Sequence, residues 1–251
     1  MKAKSTTELL RAENLSRSFV TQVGEVKALQ CVNLSIDVAE LVALKGKSGS
    51  GKTTLLNLLG GLDQPSGGEI YFQGAALSSL SEEDLVQLRR TQIGFVFQSF
   101  ALMPTYSALE NVELVLRLTG GDPQQNRQRA LQSLRAVGLG NRVHSHPDEL
   151  SGGQQQRVAI ARAIANHPDL ILADEPTGEL DTNTTRQIFG LFRRLVNQEG
   201  ITVLLTSHNP LVEEVADRTI ELEDGQIINM KYTCRINYSS QAIYTKFPSV
   251  L

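Results

Sequence analysis

Gly46-Lys47-Ser48-Gly49-Ser50-Gly51-Lys52-Thr53 stands between an apolar run, Leu41–Leu44, and a helix-forming stretch, Lys52–Leu59. The spacing G-x-x-x-x-G-K-[ST] in a strand-to-helix turn fits a phosphate-binding loop. Its glycines let the backbone wrap so that successive N–H groups point at phosphate oxygens. The helix that follows adds the positive end of its dipole. Lys52 is expected to reach the β- and γ-phosphates of a nucleotide, and the Thr53 hydroxyl to ligate Mg²⁺, with Thr54 completing the loop. A Gly/Ser turn with a chance lysine explains neither the register nor the context.

Working outward, Leu170-Ile171-Leu172-Ala173 is an apolar strand that runs into Asp174 and Glu175. In α/β sheets ligands bind at the carboxyl ends of strands. Asp174 is expected to hold Mg²⁺ through its water shell, and Glu175 to accept the proton of an attacking water. An acidic pair at a strand end is common. Its weight comes from the phosphate loop in the same chain.

The elements around these motifs alternate. β-rich segments are expected at Glu8–Val20 and Cys31–Val38, and strands at Glu69–Phe72 and Gly94–Phe97. Ser81, with Asp84 three residues on, opens a helix over Glu82–Arg90. Helices are expected at Ala108–Thr119 and Pro123–Val137, then at Gln154–Ala165 and Thr184–Asn197. A strand at Ile201–Thr206 follows, and Thr219–Leu222 with Gln226–Asn229 reads as a hairpin about Asp224-Gly225. The pattern predicts an α/β fold, a P-loop NTPase core of mixed and parallel sheet with an inserted α-helical subdomain at about 82–150.

Leu150-Ser151-Gly152-Gly153-Gln154 opens the helix over Gln154–Ala165 and offers a second anion-binding helix start. One bound nucleotide needs one cradle. A second makes sense if it caps a γ-phosphate held by another subunit.

With LSGGQ between the phosphate loop and the acidic strand, the chain over about residues 8–230 resembles the ATP-binding subunits of ABC transporters. The resemblance implies the ABC ATPase fold, ATP and Mg²⁺ as cofactors, a second ATPase subunit, and an integral-membrane permease docked on the helical subdomain. It implies a place on the cytoplasmic side of the inner membrane. It identifies Gln98 as a loop glutamine near Mg²⁺ and the water, His208 as a switch histidine at the γ-phosphate, and Phe19 as the ring that stacks on adenine. Gly178-Glu179-Leu180-Asp181 matches a dimer-contacting loop, with Asp181 at the nucleotide. Within the family, Gln98 to Pro104 and Leu109 to Val112 are similar to lipoprotein-release, macrolide-export and cell-division ATPases, which favours export or extraction of a substrate from the membrane. Lys47, Phe19, Ala39, Glu179 and Asn209 depart from the common pattern, and none removes a catalytic group. The apolar run Phe100, Leu102, Met103 and Tyr106 after Gln98 is expected to grip the permease.

Composition fits this frame. The chain has 251 residues, 24 Lys+Arg against 27 Asp+Glu, and a net charge of −3, so no broad pull toward nucleic acid is expected. Cys31 and Cys234 form no spacing pattern, so neither a disulfide framework nor a cysteine metal site is expected. Nowhere do about 18 apolar residues run together, and Met1 to Arg11 lacks a leader's apolar stretch. Nucleic-acid ATPases with the same dimer chemistry carry long coiled coils, zinc-ligating cysteines or two cassettes per chain, and none is present here. A small-molecule kinase leaves Ser151–Gln154 unexplained. Residues 231–251 hold Lys231, Arg235 and Lys246 and no acid, so a tail of +3 extends a body of −6. That tail reads as a basic, Tyr-rich extension.

Overall fold

A computed structural model describes residues 8–22 and 24–233. The core is a six-stranded sheet built from β3 (Leu41–Lys45), β6 (Ile93–Val96), β7 (Leu170–Ala173), β8 (Thr202–Thr206), β9 (Arg218–Glu223) and β10 (Gln226–Tyr232). Their order is β10-β9-β3-β8-β7-β6, parallel throughout except for the β9–β10 hairpin. Strands covered on both faces read as unbroken apolar runs. Leu41, Ala43, Val203, Leu205, Ile171 and Ala173 point into one buried cluster. Val42, Leu44, Leu204, Leu170 and Leu172 alternate into the other.

The second cluster lies under a four-stranded antiparallel sheet, β2-β1-β4-β5, from β1 (Glu8–Thr21), β2 (Gly24–Asp37), β4 (Gly67–Phe72) and β5 (Ala75–Ala76). It also takes Leu55, Leu56, Leu58 and Leu59 of α1 (Lys52–Leu59) and Leu88 of α2 (Glu82–Thr91). The first cluster collects α3 (Ala108–Leu118), α4 (Pro123–Ala136), α5 (Gly152–Ile164) and α6 (Thr182–Arg194). In α6, Ile188, Phe189, Leu191 and Phe192 form the buried stripe of an amphipathic helix. Ser81, Ser107 and Ser151 each close a capping box at the helix they open.

Three boundaries differ from the sequence expectation by more than two residues. β2 starts at Gly24, seven residues before Cys31, because the solvated stretch Glu25–Lys27 pairs with Ser18–Val20 of β1. Period-2 hydrophobicity carries no signal where both faces meet water. α6 stops at Arg194 and continues as a π turn over Leu195–Glu199. β6, within the 82–150 stretch, belongs to the core sheet, and α3 and α4 share a buried cluster with one face of that sheet. β10 runs to Tyr232, so Lys231 and Tyr232 are strand residues, and the Arg218 guanidinium lies 5.5 Å from the Tyr232 ring centroid. The rest of the basic extension, with Arg235 and Lys246, lies outside the described residues.

Ala39, at a turn position where glycine is usual, has φ 54°. Its N–H donates to Thr202 Oγ1 at 2.9 Å, which anchors the turn into β3 against β8. The left-handed conformation costs a non-glycine residue roughly 1–2 kcal/mol.

Candidate nucleotide site

Four neighbouring parallel strands end along one edge, and each delivers residues singled out by the sequence. β3 runs into Gly46, β7 into Asp174 and Glu175, β8 into His208, and β6 into Gln98. The sheet's order therefore gathers motifs more than a hundred residues apart.

At the phosphate loop, Gly51 precedes α1 with φ 103°, and a methyl there would lie 2.5 Å from the Ala28 carbonyl of β2. Only glycine fits the approach. α1 has no side-chain cap, so its first-turn amides have no partner within the helix. Lys52 Nζ donates to the carbonyls of Gly46 and Lys47 at 2.8 and 2.9 Å, which puts an ammonium at the loop's mouth. The Ser50 hydroxyl is buried with no hydrogen-bond partner, while Ser48 and Gly49 are exposed and Thr54 is half-buried. Unspent donors around a cation suit a polyphosphate. The Lys47 ammonium turns outward, 88% exposed and 3.6 Å from Glu223, an ion pair worth little in water.

Thr53 Oγ1 donates to Asp174 Oδ2 at 2.8 Å, and Thr206 Oγ1 donates to Asp174 Oδ1 at 2.7 Å. The same Thr206 hydroxyl accepts from the Glu175 N–H at 2.7 Å. Glu175 sits at φ 43°, a conformation uncommon for a residue with a side chain and one that clusters at functional sites. Its Oε2 lies 3.0 Å from His208 Nδ1. Thr53, Asp174, Thr206, Glu175 and His208 thus form one hydrogen-bonded chain. Thr53 and Asp174 are paired oxygen donors of the kind Mg²⁺ takes. Among the described residues no cluster of three or more His, Cys, Asp or Glu could hold a metal ion. A cation on this pair would complete its shell with phosphate and water.

Thr206 was not singled out by the sequence reading. Its signal was a polar residue ending an apolar strand, beside two acids on the next strand. The hairpin about Asp224-Gly225 was expected, but not its contact with the phosphate loop, where the Gly225 N–H donates to the Ser50 carbonyl at 3.1 Å and braces the loop.

The remaining residues lie around this chain. Gln98 is exposed, and a methyl on Gly178 would lie 3.1 Å from its Nε2, so the loop after Glu175 passes beside it. Phe19 is 39% exposed on β1, with the Arg17 guanidinium 4.6 Å from its ring centroid and Arg17 held to Asp63 at 2.8 Å. One face of the ring therefore already meets a cation.

Ser151 and Gln154 are occupied with each other. Ser151 Oγ accepts from the Gln154 N–H at 3.3 Å, and Gln154 Oε1 accepts from the Ser151 N–H at 2.9 Å. The amides of Gly152 and Gly153 stay without an intrahelical partner. A methyl on Gly153 would meet Thr184 Cγ2 at 2.4 Å, so α6 fixes this start closely. Asp181 caps α6 by accepting from the Asn183 and Thr184 N–H groups at 2.9 and 3.0 Å and from the Thr184 hydroxyl. Those hydrogen bonds, Thr184's first, hold its carboxyl below the usual carboxylate range. Among the described residues no hydrogen bond joins Ser151–Gln154 to Gly46–Thr53.

A protein-family model described as ABC transporter matches residues 29–178, from within β2 through Gly178. The chain belongs to the ABC transporter family. The macrolide export ATP-binding/permease protein MacB of Bartonella henselae is 43% identical over 248 residues, 98% of this chain and 37% of that protein. The uncharacterized ABC transporter ATP-binding protein YvrO of Bacillus subtilis is 44% identical over 220 residues, 88% of this chain and 96% of its own. A dimeric post-hydrolysis structure of the ATP-binding cassette MJ0796, bound to ADP and Pi, superposes with a TM-score of 0.82 at 40% identity, covering 89% of this chain and 98% of that one. The chain is an ABC ATPase domain, and it spans 37% of the MacB relative's length.

Proposed function

We propose that this ABC ATPase works as two identical chains placed head to tail, each nucleotide lying between Gly46–Thr53 of one chain and Ser151–Gln154 of the other. The observation that carries this reading is the pair of helix starts with unpartnered amides, one beside a lysine and one without a cation, unlinked within the chain. Two anion cradles that do not meet internally are both used when a second copy supplies the missing half.

Phe19 stacks on the adenine. Lys52 gives up its two carbonyl partners for β- and γ-phosphate oxygens, and the Gly49–Thr54 backbone wraps the β-phosphate. Bound Mg²⁺ would neutralise phosphate charge from a position on Thr53 and, through water, Asp174, with Gln98 beside it. Glu175, held by Thr206 and next to His208, accepts the proton of the attacking water. His208 meets the γ-phosphate and reports its loss. Asp181 acts by fixing the turn from Gly178 into α6 next to the partner's nucleotide. Catalysis is then mostly charge placement, the dominant form in phosphoryl transfer.

Closing and opening of the dimer drives a membrane permease that contacts the helical subdomain. Met103 and Tyr106 are exposed on its loop together with Phe97, whereas Leu102 packs against the core and Phe100 turns toward Gly152. The permease contact is therefore assigned to Phe97, Met103 and Tyr106. The similarity to MacB favours export or membrane extraction, with the ATPase on the cytoplasmic side of the inner membrane. No helix among the described residues is long and apolar enough to cross a membrane, so the spanning part comes from elsewhere.

Glu175→Gln tests the reading. It keeps size and hydrogen bonding but removes the base, so turnover should fall about 10²–10⁴-fold while ATP binding persists and ATP-bound dimers accumulate on gel filtration. Near-normal turnover, or ATP binding without dimers, would count against it.

A further inference from the structure

The loop from β6 to α3 is held at both ends by polar side chains the nucleotide chemistry does not use. At its far end Asn111, fully buried in α3, accepts from the Met103 N–H at 2.7 Å. Its amide donates to the carbonyls of Met103, Tyr106 and Ser107 at 2.9–3.1 Å. At the near end stands Arg162, ten residues along α5 from Gly152. Its guanidinium donates to the Phe100 carbonyl at 2.9 Å and to the Ala101 carbonyl.

Those carbonyls belong to consecutive non-glycine residues in the left-handed region, Phe100 at φ 59° and Ala101 at φ 49°. Such a turn persists only where its surroundings over-determine it. The Arg162 head supplies that constraint with a rigid fork of donors. No carboxylate among the described residues pairs with Arg162, and burial lowers its pKa. A half-buried guanidinium with no carboxylate beside it satisfies its donors on these two carbonyls and so fixes their placement. The turn follows Gln98 by two residues, and the Phe100 ring reaches back to α5, 3.7 Å from where a Gly152 methyl would sit.

We propose that Arg162 is a positioning residue that sets the Phe100–Ala101 turn, and through it Gln98, in register with the Ser151–Gln154 helix start. Load on the exposed Met103 and Tyr106 then reaches both the nucleotide glutamine and the second anion cradle through one guanidinium. This inference rests on the role given to Gln98 above.

A double-mutant cycle in steady-state ATPase assays tests it, using the purified chain with ATP and Mg²⁺. Arg162→Met keeps the stem and removes the donors. It should lower kcat about tenfold, since misplacing a catalytic group by about 1 Å costs up to 10²-fold, with KM for ATP unchanged. Arg162→Lys, able to reach one carbonyl, should recover part of the loss. In a Gln98→Ala background Arg162→Met should cost less than about twofold, because residues acting as one unit are not additive. Hydrogen exchange at residues 98–103 should rise in Arg162→Met without a rise along α5. The same tenfold loss in both backgrounds, or unchanged exchange at 98–103, would overturn the proposal. A Gln98→Ala variant with normal kcat would strike at the role of Gln98 instead, and the exchange result would still decide whether Arg162 holds the turn.

Discussion

The helix starts at α1 and α5 look alike in sequence, both rich in Gly, Ser and polar residues, but differ in what they leave unspent. α1 has a glycine at its cap, no side chain on its amides, and Lys52 Nζ across the loop. α5 is closed by a reciprocal Ser151–Gln154 box, leaves the Gly152 and Gly153 amides, and has no basic residue in its first turn. The first start is a strong anion site by charge and donor count. The second is neutral and half satisfied, which suits the proposed role of supplementing a phosphate held by the other chain. The contrast explains why one chain carries both, and why the weaker is pinned by α6 rather than left to adapt.

Unequal consequences follow for the two starts. Lys52→Ala should weaken ATP binding by roughly ten- to a hundredfold, the worth of charge-assisted hydrogen bonds of about 1.5–3 kcal/mol, measured by titrating the purified chain with a fluorescent ATP analogue. Ser151→Ala should leave that affinity within twofold. It should lower stability by about 1 kcal/mol, the usual cost of a lost cap, seen as a reduced denaturant midpoint, and slow turnover about fivefold. If Ser151→Ala weakened ATP binding as much as Lys52→Ala, the two starts would be equal partners and the contrast would fail.

Legibility from sequence followed the same line. The phosphate loop, the strand into Asp174-Glu175 and the sheet class were readable because apolar runs and fixed spacing encode them directly. Gln98 and His208 were visible only through resemblance, since a lone glutamine after a strand carries no local signal. Thr206 and Arg162 were not readable, because what they do depends on which strand or loop lies beside them, and adjacency in the sheet is not sequence adjacency. The pairing of Glu25–Lys27 with β1 was hidden for a different reason: a solvated hairpin has no apolar period to show. In the apolar loop after Gln98, Phe100 and Leu102 are half-buried while Met103 and Tyr106 are exposed, a difference that hydrophobicity alone does not encode.

The claim that the α1 and α5 starts act on the same nucleotide from different chains is open to a mixing experiment. Lys52→Ala disables the first start. Gly152→Asp places a carboxylate at the second, where the helix dipole tolerates it, ordinary contacts surround it, and it repels the γ-phosphate. Each variant alone should be nearly inactive. Equimolar mixing should restore roughly a quarter of wild-type ATPase activity, since half of randomly formed two-fold dimers are mixed and each of those carries one intact site of two. A mixture no more active than its separate components would contradict the account.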